Sequence, residues 1–432
     1  MSDLGSATKD AFAETADIAA AHAPDRDAAS GNSGKGDVPL KVCHLGKFYP
    51  PASGGIESHL QTLARAQADL GAEVRVLCVN HRSPGGTDVT WRTFARTETV
   101  RDSDGPVEVD RLGRWASLVR LEVCPSLIRR LRQLESEGVD LLHMQTPNPT
   151  MLAGLFLARP RIPWVITYQS DVVKQKALVA LQRPVENWVF RRARGIFATS
   201  ESYLAGSDYL QRYRDKIRIV PLGIDTGPYV RPSAETQGHA ARFRQQHGDP
   251  LWLAVGRLVY YKGFVNALRA LSQVPGKLML VGVGPLRAEL QRQAQEFGVA
   301  ERVLWMPRLS PEELVGAYHA ATAFWFPSNA RSEAFGLVQV EAMASGCPVI
   351  NTAIPGSGVA WVSRDGETGR TVPVDDAAAF AAAANDLARD PELRARLGRQ
   401  GRERAVTEFS AARMAERTLA GYRDALARKS DG

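Results

Sequence analysis

Two cations and two carboxylates in the second half of the chain offer the clearest chemistry. Arg257 and Lys262 stand in the run Val255-Gly256-Arg257-Leu258-Val259-Tyr260-Tyr261-Lys262-Gly263, directly after the apolar stretch Leu251–Val255. A guanidinium offers a planar fork and an ammonium a point charge, which together suit the two phosphates of a diphosphate leaving group. Two solvated surface cations are the plainer account; the strand end and the flanking glycines weigh against it. Glu333 and Glu341 bracket Ala334-Phe335-Gly336-Leu337-Val338-Gln339-Val340, behind Phe324-Trp325-Phe326-Pro327-Ser328. A glycine loop running into a helix presents backbone N–H groups and the positive end of a dipole to an anion. Read as helical, the spacing between the glutamates gives roughly 12 Å. That suits opposite ends of a nucleotide sugar, Glu333 accepting from sugar hydroxyls and Glu341 from both ribose hydroxyls. A capping glutamate followed by a surface glutamate explains the pair equally well in isolation.

Two more glycine segments follow strands. Pro50-Pro51-Ala52-Ser53-Gly54-Gly55-Ile56-Glu57 precedes a helical run, and Val281-Gly282-Val283-Gly284-Pro285 ends a strand. Either would let backbone amides approach a phosphate or nucleotide, and either is explained by a tight turn.

The elements that must hold these groups read as alternating strands and helices from Lys41 onward. Strands are predicted at 41–45, 73–80, 107–112, 141–145, 164–168, 195–199 and 217–220, then at 251–255, 277–281, 302–306, 323–326 and 348–351, with a Pro- and Gly-containing break after Val220. Alternation of this kind implies parallel sheets with right-handed crossovers. The predicted architecture is α/β: two doubly wound halves, 39–226 and 227–410, with ligands in the crevice between them. Residues 411–429 read as an amphipathic helix that packs back on the first half. Residues 1–38, rich in Ala, Asp, Ser and Gly, read as a disordered tail.

A chain of 432 residues suits two domains. Its four cysteines stand far apart without metal-binding spacing, as in a protein with reduced thiols. Acids at Asp3, Asp10, Glu14 and Asp17 argue against a secretory leader, and no apolar run approaches the roughly 18 residues that span a bilayer. A cytoplasmic protein is the expectation. The net charge of +7 fits a phosphate-bearing substrate, an anionic membrane or nucleic acid. Nucleic acid is disfavoured because the arginines lack interleaved exposed aromatics.

In order and spacing, Gly54-Gly55-Ile56-Glu57, Val220-Pro221-Leu222-Gly223-Ile224-Asp225, Gly256-Arg257-Leu258 with Lys262-Gly263, and Glu333-Ala334-Phe335-Gly336 through Glu341 resemble the retaining GT-B glycosyltransferases of family 4, also called glycosyl transferases group 1. The resemblance runs from Lys41 to about residue 410. It implies two Rossmann-like domains facing a cleft, the second holding a nucleotide sugar and the first a hydroxyl acceptor. It further implies that Arg257 and Lys262 bind the diphosphate, Glu333 the donor sugar and Glu341 the ribose. Backbone amides from Ala334, Phe335, Gly336, Leu337 and Val338 would contact sugar and phosphate, and Gly55 would close over the diphosphate. No metal or other cofactor is implied, since the two cations can neutralise the leaving group. Retention by front-side displacement is implied by analogy.

Two segments depart from the family pattern: Gln145 and Gln169 stand where relatives often carry histidine, and an amide cannot exchange protons near neutral pH. His143, Gln145, Gln169 and Asp171 are the acceptor-side candidates, with a buried structural histidine and a helix cap as the plain accounts of His143 and Asp171. The run from Ser170 to Lys176 resembles a subgroup that builds bacterial surface polysaccharides, which points to GDP-mannose as donor and a glycan or lipid-linked acceptor. Within 111–137, Arg111, Arg114, Arg120, Arg129, Arg130 and Arg132 alternate with apolar residues. That segment reads either as a face for an anionic membrane, placing the protein on its inner surface, or as a core helix with a solvated arginine side. The alternative functions are a nucleotide-sugar-binding protein without turnover and a GT-B sugar epimerase or phosphorylase.

Overall fold

Strand-helix alternation yields two large sheets in the computed structural model, which describes residues 39–52, 54–81, 92–93, 96–118, 121–169 and 176–428. The expectations for 1–38, Arg120 and Asp171 lie outside the described residues. The first sheet contains β1 (Lys41–Leu45), β2 (Glu73–Val79), β4 (Val100–Asp104), β5 (Val107–Leu112), β8 (Leu141–Thr146), β9 (Trp164–Tyr168), β10 (Gly195–Ala198) and β11 (Ile217–Ile219). Their order is β11-β10-β9-β8-β1-β2-β5-β4, and all pair in parallel except the edge strand β4. A two-residue connection, Gly105-Pro106, joins β4 to β5, and a link that short permits only an antiparallel pair. A small antiparallel sheet of β3 (Arg92–Thr93), β6 (Ala116–Leu118) and β7 (Leu121–Val123) stands beside it in sequence.

The second sheet holds β12 (Leu251–Val255), β13 (Lys277–Val281), β14 (Val303–Met306), β15 (Ala323–Phe326), β16 (Val349–Thr352) and β17 (Gly369–Val372). It is parallel throughout, in the order β14-β13-β12-β15-β16-β17. Its strands are apolar on both faces because helices cover both. Trp252 and Ala254 face one layer with Phe264, Trp325 and Phe380, while Leu251 and Leu253 face the other with Phe243 and Phe324.

Each sheet has a point where the strand order reverses: β1 lies between β2 and β8, and β12 between β13 and β15. The connections there leave in opposite directions and open a crevice at the carboxyl ends of the strands. The glycine motif after β1, the end of β8, the Arg257–Lys262 stretch after β12 and the Glu333 loop after β15 all fall at these two points.

The helix Ala411–Ala427 returns to the first sheet. Leu419, Tyr422 and Ala425 pack with Val42, Leu141, Val165 and Phe197, while Met414 and Ala415 meet Leu63 and Ala66 of the helix Gly55–Asp69.

The basic segment 111–137 is not one amphipathic surface. It is the end of β5, the β6-β7 hairpin and the helix Ser126–Ser136, whose periodicities differ. Arg111 is buried and donates to the carbonyls of Tyr49 and Pro50; Arg114 pairs with Glu122 at 3.1 Å, and Arg130 with Asp110 at 2.6 Å. Of the described arginines named within 111–137, only Arg129 and Arg132 are exposed. No helix among the described residues is long and apolar enough to cross a membrane.

Candidate functional site

At the second reversal point, the ammonium of Lys262 lies 2.5 Å from Oε2 of Glu333, and the hydroxyl of Ser328 donates to the same oxygen at 3.2 Å. Both side chains of the pair are sheltered. Lys262 ends the short 3-10 turn Tyr260–Lys262, which Gly263 closes with a left-handed backbone, φ 63°. A side chain at Gly263 would collide with the carbonyl of Pro327, so only glycine lets this turn rest directly on the loop after β15. The N–H of Asn329 donates to the carbonyl of Tyr261 at 2.9 Å and fastens the two loops. Arg257 is exposed, its guanidinium donating to the Tyr261 hydroxyl at 3.0 Å.

The Glu333 loop enters its helix through Gly336, which has φ 78° and whose added Cβ would come within 2.5 Å of the Phe326 ring. The helix is Leu337–Ala344. Helical rise therefore applies only from Leu337 to Glu341, and the roughly 12 Å expected for eight helical residues does not describe the pair. Ala334 and Phe335 are buried, and the Phe335 ring packs edge-on to Phe409 in the core. The carbonyl of Ala334 accepts from Gly358 at 2.9 Å, that of Glu333 from the Ser357 hydroxyl, and that of Phe335 from Gln339 at 2.6 Å. The loop backbone is held from behind. Leu337 and Val338 open the helix, where backbone N–H groups have no carbonyl one turn earlier to bond.

Glu341 receives a hydrogen bond from the Tyr318 hydroxyl at 2.8 Å. Burial pushes the Glu341 carboxyl above the usual carboxylate range, and the Tyr318 bond pulls the other way. Burial likewise keeps the Tyr318 phenol protonated, so it stays a donor.

In the first half, Gly55 is the first residue of the helix Gly55–Asp69, and a Cβ there would meet nothing within 4 Å among the described residues. No packing demand from them explains the glycine. Burial pushes the neighbouring Glu57 carboxyl up, opposed by its own backbone N–H and by the positive charges of Lys47, His81 and Arg257. The influence of Arg257 on Glu57 puts the first glycine motif and the second-half cation in one electrostatic neighbourhood.

The acceptor-side candidates form a polar chain inside the first half. Gln169 donates to Gln145 Oε1 at 3.0 Å, and the Gln145 amide lies 3.4 Å from His143 Nε2. His143 Nε2 also meets the Thr167 hydroxyl at 2.7 Å, and its Nδ1 meets the Tyr422 hydroxyl at 2.6 Å. Gln67 then links Tyr422 to His44, at 3.0 and 2.7 Å. Burial pushes His143 far below the ordinary histidine value, so it is a neutral imidazole. One ring nitrogen of the neutral imidazole donates and the other accepts, and the Gln145 amide is oriented with its oxygen towards Gln169. His143 and Gln145 are 0% and 1% exposed and enclosed by protein; Gln169, at 8%, is the most exposed of the three.

Ser328, Tyr318, Tyr261 and Ser357, which support the charged groups, were not singled out by sequence. Ser328 had a signal, a polar residue at a strand end two positions after Phe326. Tyr318 had none, because its bond to Glu341 spans 23 positions and two helices. Among the described residues no group of three or more His, Cys, Asp or Glu is arranged to hold a metal ion.

Family models agree with this layout. Residues 53–227 match the model described as Glycosyltransferase Family 4, and residues 238–404 match Glycosyl transferases group 1. The D-rhamnosyltransferase WbpZ of Pseudomonas aeruginosa is 34% identical over 378 residues, 86% of this chain and 93% of that protein. The O-antigen chain mannosyltransferase C of Escherichia coli is 29% identical, over 90% of this chain and all of its own length. Among solved structures, sucrose-phosphate synthase from Thermosynechococcus elongatus superposes with a TM-score of 0.70 at 24% identity, covering 89% of this chain and 98% of that one.

Proposed function

Because the chain belongs to the family 4, group 1 glycosyltransferases and has their GT-B fold, we propose that it moves a hexose from a nucleotide-diphosphate donor to a hydroxyl of a growing surface glycan or its lipid-linked precursor. The observation that carries this reading is the Lys262–Glu333 pair at the second reversal point, beside the helix that opens at Leu337. An ammonium and a carboxylate in contact match the junction of a sugar phosphate, where anionic oxygens adjoin hydroxyls.

In this reading Arg257 and Lys262 take the diphosphate, the N–H groups at the start of the Leu337–Ala344 helix add to them, Glu333 accepts from sugar hydroxyls and Glu341 from the ribose. As the bond from the anomeric carbon to phosphate breaks, negative charge grows on the departing oxygen and the two cations stabilise it. The acceptor oxygen bonds to the anomeric carbon from the same face and its proton passes to the departing phosphate, so configuration is retained without an enzymic nucleophile. The cations fill the charge-neutralising role that a divalent metal has in other transferases. Gly55 supplies close approach from the first half. The mannosyltransferase named above supports mannose as the transferred sugar, and GDP-mannose is the donor proposed here.

The test is a panel of nucleotide sugars offered with lipid-linked and oligosaccharide acceptors, products being read by mass spectrometry. GDP-mannose is expected to give a product one hexose heavier. Glu333→Ala is expected to lose transfer by about a hundredfold or more while its circular dichroism is unchanged. Full activity in that variant would sink the assignment of the site.

A further inference from the structure

Asp375 belongs to none of the motifs discussed so far. It sits in the turn after β17 and, with Arg159, is one of two described residues other than glycine with a left-handed backbone, at φ 60°. Side chains are disfavoured there and glycine is not, so this position carries a carboxylate at a conformational cost. A single oxygen, Oδ1, accepts from two amides: that of Asn266, in the first turn of the helix Phe264–Leu271, and that of Asn329 at 2.9 Å.

Both asparagines are themselves fixed to the donor-site loops. The Asn266 N–H donates to the carbonyl of Gly263 at 2.9 Å, next to Lys262, and the Asn329 N–H donates to that of Tyr261 at 2.9 Å, next to Ser328. The carboxylate thus ties the helix that follows Lys262 to the loop that carries Glu333. A charged acceptor holds two donors more firmly than a neutral one.

We propose that Asp375 is a positioning residue for the diphosphate site: it sets the separation of the Tyr260–Lys262 turn and the Glu333 loop, and touches no ligand itself. The inference rests on the donor-site reading above. It predicts that the backbone cost at residue 375 is offset by better placement of Lys262 against Glu333.

Asp375→Gly separates the two effects, since it relieves the backbone and removes the tie. Titration calorimetry with GDP and UDP, beside thermal unfolding, is the experiment. The variant is expected to unfold within a few degrees of the parent yet bind nucleoside diphosphate about tenfold more weakly. Asp375→Asn, which keeps an oxygen acceptor, is expected to recover part of that loss. Unaltered affinity in Asp375→Gly, or no difference between the Gly and Asn variants, would overturn the proposal. A parent protein that binds neither nucleotide, or binds equally after Arg257→Ala, would instead remove the donor-site reading and this inference with it.

Discussion

Under the proposed donor site, Lys262 and Glu333, 2.5 Å apart, meet the ligand at one place, while Glu341 and its phenol partner meet it elsewhere. The residue scale gives two further predictions. A Cβ at Gly55 would meet no described residue within 4 Å, so Gly55→Val is expected to leave the unfolding temperature unchanged and to cut kcat/KM for the donor by at least about tenfold, by filling the room a phosphate needs. Loss of stability without loss of activity would mean the glycine serves the turn. The Tyr318→Phe change removes the one hydrogen bond that draws the Glu341 carboxyl down against its burial. The carboxyl then rises further and is less ionised in mildly acid solution. Donor KM is expected to rise by about three- to tenfold at pH 6 and to recover as pH is raised towards 8, with kcat little changed. A flat KM profile would detach Glu341 from the donor.

At the scale of elements, the sequence was readable where chemistry and periodicity coincided. Strands such as Leu251–Val255 and Ala323–Phe326 are apolar on both faces and bounded by proline, glycine or threonine, so their limits were legible. The edge strand Val100–Asp104 was not, since three of its five residues are charged, four are exposed, and only ladder hydrogen bonds make it a strand. The four motifs were visible because each follows a strand. Asp375 and Tyr318 were not, because their partners are distant in sequence. Of the buried histidines of the first half only His143 was singled out by sequence: burial lowers His44 to about 4 and His59 to about 3, and His143 falls well below its ordinary value. Their folded values lie below the unfolded one near 6.5, so the unfolded chain takes up protons first as pH falls. Stability is expected to be intact above about pH 6.5 and to drop towards pH 4, by on the order of 1.4 kcal/mol per pH unit for each imidazole. Neither ring nitrogen of His59 has a partner among the described residues. Denaturant titrations of His59→Leu should show a shallower acid slope and little loss at neutral pH; an unchanged slope would exclude His59 from the acid response.

Across the whole molecule, the two halves meet close to the site. Arg331, two positions before Glu333, donates to the carbonyls of Gly356 at 2.9 Å and of Tyr203 at 3.3 Å, and lies 4.6 Å over the Tyr203 ring in the first half. The Glu333 loop therefore touches both domains. The returning helix Ala411–Ala427 makes a second connection, since Tyr422 closes the His143 and Gln67 hydrogen bonds inside the first half. A chain ending at residue 410 is expected to lose several kcal/mol, as when more than one large core side chain is deleted, and to be cut by protease first within 40–220. Parent-like resistance there would show that the helix is dispensable. The same contact sets an order in time. A ribosome adding roughly 5–20 residues per second takes roughly 10–40 s to pass from the last strand of the first sheet to Tyr422, and meanwhile the emerging sheet carries unclosed polar groups where that phenol will lie. The half translated first is thus the last to be completed, and nascent-chain chaperones are most needed for it during that interval.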